Sequence, residues 1–519
     1  MIKLSTTFVV LFLFAKSEKL CIINPKGDER MNTDKLVRKS LLGLSKSIIF
    51  SMPEKNFTTS EKANKYMLKG DNKFSTQKGE HFTCGFGKSV LTPDDIKIRK
   101  YFIAGYDSNN PAQGVFDDMF ARAVYIDDNT GRGGVVICSV DAVGISRKDI
   151  NKIRKLVIES GKIPSLKSIN ICATHSHSAI DTQGLWGEKL FKCGRDEDFM
   201  KHLRKLTADA IIKAYENRAD GKLFYSVKKT EELQYDCRTP DTYDSNLTKI
   251  RFESFDGKKN IHIINFASHA ELLGSCTKNV SADFPAYMIK EIEANNENCD
   301  AVFINGAIGG MISAKEIKKV YRETIDCEAY TKEFGKNLGE IANSLADETE
   351  LAPLINVKSA PVSISASNYV LILARFLGVL NNDISRERNK GVASIYSEVG
   401  YLELGEKEIG MFLIPGELFP ELFNGEFLSE KESANGKKAS YNILKEQGSA
   451  KHKFVVGLCN DELGYIIPDN DFFLDSKLPY INGGHDKFDR NHYEETNSTG
   501  PDTARTLLEA TEKIIKSIE

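Results

Sequence analysis

Histidine is scarce in this chain, with nine in 519 residues, and the ten cysteines are scattered singly with no C-x-x-C pair. That absence excludes zinc ribbons and thioredoxin-type redox motifs, so any metal must be held by other ligands. No basic patch is present. A net charge of -3, with 28% charged and 41% hydrophobic residues, describes a soluble globular protein and excludes a nucleic-acid binder. There is no internal repeat and no low-complexity tract. The glycine-rich INGAIGGMIS at 304–313 lacks the Gly-Lys-Ser/Thr of a phosphate loop, which speaks against nucleotide binding. It reads instead as a place where backbone closely approaches another group.

The N-terminal apolar run FVVLFLFA at 8–15 is too short to span a bilayer. With Lys3 before it and Ala15-Lys16-Ser17 after it, the pattern is of the secretory type. Lys16 and Lys19 crowd the cleavage site and Met31 offers a second start, so secretion and cytoplasmic residence stand about even. Residues 22–80 are rich in Lys, Asn, Ser and Glu with little periodicity, and read as a leader or a loosely packed extension. The length allows two to four average domains or one large α/β unit. The folded body is expected over 81–519, opening near CGFGKSVLTP at 84–93.

From there apolar runs at 118–127, 134–140, 168–175, 261–269, 301–307, 409–416 and 453–459 predict buried strands. Between them, amphipathic patterns predict helices at 146–160, 283–296 and 331–348, the first opened by a Ser-x-x-Asp box and the second by Asp283 with Pro285 in its first turn. Strands alternating with helices predict a layered α/β fold with mixed sheets flanked by helices. In such folds chemistry gathers at strand ends. His175 and His177, His269, Glu417 and Tyr465 each follow a predicted strand, so four strand ends can converge on one site.

Residues two apart in an extended segment share a face, so His175 and His177 are expected to project together. An isolated H-x-H more often only hydrogen-bonds within a polar loop, and His269 alone reads more readily as structural. Glu417, after a Pro-Gly turn, could be a helix N-terminal charge. Together with two histidines it would make the His-His-Glu set of a catalytic zinc that keeps a position open for water. The H-x-H-x-D-H pattern of metallo-β-lactamases fails here, and no eightfold β/α pattern supports an amidohydrolase barrel.

The string ATHSHS at 173–178 is one of several motifs in a fixed order. Others are AGY at 104–106, CRTP at 237–240, FASHA at 266–270, SADFPAY at 281–287, IPGE at 414–417, GY at 464–465 and HYE at 492–494. In these the chain resembles the neutral/alkaline (non-lysosomal) ceramidase family, over its N-terminal catalytic domain, from about Cys84 to the C-terminus. The resemblance implies one zinc ion bound by His175, His269, Glu417 and Tyr465. It implies His177 as general base and acid, with Arg238 and Tyr493 contacting the substrate or its developing oxyanion. The expected function is zinc-dependent hydrolysis of an N-acyl amide, in a lipid or another small amide, with peripheral contact to a membrane surface. Three departures qualify this. Ala282 stands where the family has serine, with Ser281 one residue earlier. No room is left for an extra C-terminal β-sandwich domain. A longer insertion, including 481–491, separates Tyr465 from Tyr493 and would reshape the substrate mouth. A non-sphingolipid amide or ester is therefore the alternative substrate, and a non-catalytic metal-binding relative is the rival from another class.

Overall fold

The computed structural model describes residues 39–40, 42–189, 192–275, 277–386 and 392–518; the run at 8–15 and its cleavage pattern lie outside them. Two sheets pack face to face and helices cover both outer surfaces. The first sheet contains β1 (Phe82–Val90), β2 (Phe120–Asp127), β3 (Gly134–Val140), β4 (Leu166–Ala173), β5 (Ala219–Lys229), β6 (Asn246–Ser254), β7 (Asn260–Phe266) and β8 (Cys299–Asn305), in the order β8-β7-β6-β5-β1-β2-β3-β4. A short strand, Thr349–Glu350, adds to β5. The β3–β4 and β7–β8 pairs are parallel and the pairs between them antiparallel, so the sheet is mixed, as expected. The second sheet runs β9 (Ile355–Ala366), β10 (Ala393–Leu404), β11 (Ile409–Leu413), β12 (His452–Val456).

Burial on both faces explains the unbroken apolar runs. In β3, Val135 and Ile137 join the core between the sheets, whereas Val136, Cys138 and Val140 face helices. The inner core is closed from the other side by Leu402, Leu404, Met411, Leu413, Phe454 and Val456. Helices α1 (Arg147–Glu159) and α2 (Glu197–Glu216) cover one half of the first sheet; α3 (Phe284–Asn295) and α4 (Cys327–Ser344) cover the other. Helices α5 (Tyr369–Phe376) and α6 (Thr503–Ile518) lie on the second sheet.

The caps account for the helix starts. Ser146 does not close the expected box: its hydroxyl donates to the Asp149 carboxylate at 2.9 Å, and the first N–H of α1, on Arg147, is taken by Asp461 Oδ1 at 2.8 Å; Asp283 accepts from the Phe284 N–H. Helix α4 begins four residues before its expected start because Asp326 accepts from the N–H groups of Glu328 and Ala329. Of the N-terminal segment, 42–51 is helical and buries Ile48 and Ile49 in the outer core of the second sheet. Among the described residues no helix is long and apolar enough to cross a membrane.

Candidate metal and catalytic centre

Strand β4 ends at Ala173, and the next residues are not extended as the two-residue spacing suggested. His175 adopts a left-handed φ of 64°, an uncommon conformation for a non-glycine residue. This turn brings the His175 and His177 rings to 4.7 Å between centroids and their Nε2 atoms to 3.1 Å. It is pinned by Ser176 N–H to the Ala142 carbonyl and His177 N–H to the Ala270 carbonyl, at 3.2 and 2.9 Å.

Each flanking histidine has one nitrogen committed to backbone. His175 Nδ1 lies 2.6 Å from the Val143 carbonyl and His269 Nδ1 lies 2.8 Å from that of Ile312. A carbonyl only accepts, so Nδ1 carries a proton in both rings and each Nε2 faces the centre, where it donates to Glu417 when the ring is charged and offers a lone pair to an ion when the ring is neutral. The Ile312 carbonyl comes from the glycine-rich loop. A Cβ on Gly306 would lie 2.9 Å from Ala267 Cβ, and one on Gly309 would lie 2.5 Å from Phe419 N, so close backbone approach is what those glycines serve.

Glu417 and Tyr465 sit opposite one another in a pair of two-residue parallel strands, Glu417–Leu418 and Tyr465–Ile466. Glu417 Oε2 is 3.2 Å from His269 Nε2 and 3.5 Å from His175 Nε2. The Tyr465 hydroxyl stands 3.2 Å from the Tyr493 hydroxyl and 2.9 Å from Met311 Sδ, close enough to Glu417 to help hold its carboxyl down.

The charges follow from burial. Burial raises the Glu417 pKa, but the charges of His175 and His269 outweigh it and hold the carboxyl below its usual range. Burial pulls His177 well below its ordinary value, helped by His175 and His269. Burial lowers His269 too, yet its hydrogen bond to Glu417 leaves it raised. Burial and the Glu417 charge keep Tyr465 a neutral phenol.

This donor set fits a divalent cation. Tetrahedral zinc with ligand bonds of about 2.0–2.1 Å places its ligand atoms roughly 3.3–3.4 Å apart, and the two Glu417–imidazole distances of 3.2 and 3.5 Å bracket that value. His177 offers a rival third nitrogen, since ring nitrogens of His175, His177 and His269 all lie within 4.8 Å of one another. His177 Nδ1 is itself buried without a hydrogen-bond partner.

No protein-family model and no curated protein sequence matches the chain. Its three-dimensional structure does match solved ones. A neutral ceramidase from Pseudomonas aeruginosa superposes with a TM-score of 0.62 at 14% identity, covering 84% of this chain and 74% of that one. A ceramidase complexed with C2 superposes at 0.63 and 13% identity, covering 84% and 75%. The fold is that of a neutral ceramidase.

On this ceramidase fold the centre opens into a cavity of about 570 Å³ lined by His175, His177, Glu417, Tyr465 and Tyr493. Arg238 does not line it. The Arg238 guanidinium is buried among Glu494, Glu495, Asp471 and His492, at 2.9–3.1 Å from its closest atom in each, and stacks over Phe419. Internal carboxylates occupy its donors, so Arg238 is the one expected site residue that this structure does not bring to the centre or its cavity. Neither Ser281 nor Ala282 reaches the cavity: the Ser281 hydroxyl donates to Asp117 Oδ2 at 2.6 Å, and the Ala282 N–H donates to Asp117 Oδ1 at 2.9 Å. The insertion does reach it, through Tyr480 and Ile481. Sequence reasoning missed Tyr106, whose ring packs edge-on at 5.4 Å from His177; its place in the AGY motif was the available signal. It also missed Glu462, Trp186 and helix α5, for which spacing carried none.

Proposed function

We propose that this protein is a zinc-dependent hydrolase that cleaves an N-acyl amide bond, with ceramide-like lipids as the reference substrate class. One observation carries the reading. Two histidines fixed by backbone carbonyls turn their Nε2 atoms toward one carboxylate oxygen, at the end of a cavity whose other walls include Val370, Leu371, Ile372 and Ile395. The match to ceramidase structures supports it.

In this reading His175, His269 and Glu417 hold the ion, with Tyr465 as the fourth protein donor. A zinc ion there supplies a Lewis acid that brings the pKa of water toward ~7. His177, neutral because of burial, takes the proton from the attacking water and returns it to the leaving amine. Tyr493, its hydroxyl 3.2 Å from that of Tyr465, donates to the oxygen that gains charge as the carbonyl becomes tetrahedral. Tyr106 and Gly105 wall the His177 ring and set its orientation. We assign Arg238 to bracing: its ion pairs to Glu494 and Glu495 anchor the segment that carries Tyr493.

The three-histidine cluster favours a second reading, in which His177 is a ligand and Glu417 is the base. His177→Ala separates the two. The first predicts one bound zinc per chain by mass spectrometry and a turnover loss of about 100-fold or more on a fluorescent N-acyl sphingosine. Loss of the zinc would favour the second. Full activity with zinc retained would remove His177 from the mechanism.

A further inference from the structure

The cavity that begins at the histidines has one lysine or arginine among its described lining residues, Arg375. It sits in the last turn of α5, half-buried. Its Nε donates to the Asn382 carbonyl at 2.6 Å, which fixes the plane of the guanidinium. Its Nη1 and Nη2 have no hydrogen-bond or ion-pair partner among the described residues. This contrasts with Arg154 and Arg238, whose terminal nitrogens meet internal carboxylates, and with Arg147, whose terminal nitrogens meet the Ala63 carbonyl and Asn64 Oδ1.

Nor do the surroundings neutralise it. The carboxylate acting on Arg375 is Asp383, which accepts from the Thr58 hydroxyl at 3.0 Å. The same carboxylate acts on Lys148, a second cation that feels Arg375 as a repelling charge and has no ion-pair partner among the described residues. Lys148 also feels Asp149, whose oxygens are taken up by Arg195 and Arg204, so Asp383 is the carboxylate that the two cations share. A half-buried guanidinium with both terminal nitrogens free matches the geometry of a carboxylate or phosphate.

We propose that Arg375 is a specificity residue that receives an anionic group of the substrate, so that the preferred substrates are N-acyl amides bearing a carboxylate or a phosphate. This rests on the hydrolase reading for its catalytic consequence, but the anion subsite is testable by binding alone.

The test uses the full chain, loaded with zinc, and three ligands of equal acyl length below their micellar concentrations: N-lauroylglycine, N-lauroyl phosphoethanolamine and neutral N-lauroylethanolamine. Calorimetric titration and initial rates are measured for wild type, Arg375→Gln and Arg375→Lys. One or both anionic ligands should bind, and turn over if hydrolysis occurs, about 10- to 100-fold better than the neutral one. Arg375→Gln should erase that preference while leaving the neutral ligand within about 2-fold. Arg375→Lys, which keeps the charge but loses the planar fork and the bond to Asn382, should retain only part of it. Which anionic ligand leads identifies carboxylate or phosphate. Preference for the neutral ligand in wild type, or equal losses on all three in Arg375→Gln, overturns the proposal. If the preference appears in binding but no ligand is cleaved, the subsite stands and the hydrolase reading fails.

Discussion

The His177 ring owes its position to an atom that is missing. A Cβ on Gly105, whose φ is 112°, would lie 2.5 Å from His177 Cβ. Gly105→Ala should displace the imidazole without touching His175, His269 or Glu417; turnover should fall by about 100-fold, as for a misplacement on the order of 1 Å, with zinc content unchanged by mass spectrometry. His262 supplies a second prediction, on stability. It is buried, neither ring nitrogen has a hydrogen-bond partner among the described residues, and burial, then Lys249 and Arg251, push its pKa from 6.5 to about 3. The folded ring stays neutral while the unfolded one takes up a proton below pH 6.5. Stability is therefore lost as pH falls from 6.5 toward 3, by about 1.4 kcal/mol per unit. His262→Leu should remove about 2 kcal/mol of the wild-type difference between pH 7 and pH 5 in chemical denaturation; an unchanged slope would refute the assignment. At this scale much of the centre was legible, because scarce histidines at the ends of apolar runs stand out. Arg238 was not, since its carboxylate partners lie more than 230 residues away in sequence.

Strands β3, β4, β7, β8, β11 and β12 were legible because each carries a run of mostly apolar residues that is buried in the sheet. Strand β9 was not: its solvent-facing positions include Lys358, Pro361 and Ser363, which break the run. The pair of strands carrying Glu417 and Tyr465 is two residues long, too short for any periodicity; Glu417 was reached from its place after an apolar run and a Pro-Gly turn, and motif order pointed to Tyr465 as a ligand. The glycine-rich loop after β8 is the element on which the centre most depends, because it carries both the Ile312 carbonyl under His269 and Met311 beside Tyr465. Gly309→Ala should force the loop off Phe419, cost about 1–3 kcal/mol from overpacking, and weaken zinc binding by loosening His269. A drop in stability with unchanged zinc affinity, followed by competition with a chromogenic chelator, would show that the loop only packs.

Over the whole molecule the two sheets are joined by apolar packing and by Glu398 of β10, which takes Arg147 and Arg154 of α1 at 3.2 and 2.6 Å. The proposed metal ligands repeat that division. His175 and His269 follow strands of the first sheet, whereas Glu417 and Tyr465 follow strands of the second. Chelation should therefore lower the unfolding temperature of the entire chain; at zinc concentrations 100 to 1,000 times the dissociation constant the stabilisation is about 3–4 kcal/mol. Calorimetry with and without EDTA measures it, and an unchanged transition would argue that no ion bridges the sheets. The divided ligand set has a further consequence for how the molecule matures. A chain whose sheets have docked out of register can offer only half the donors, so it captures the ion weakly. With the proposed ligands, metal uptake would then serve as quality control: the chemistry would switch on only in copies whose long-range architecture is already correct.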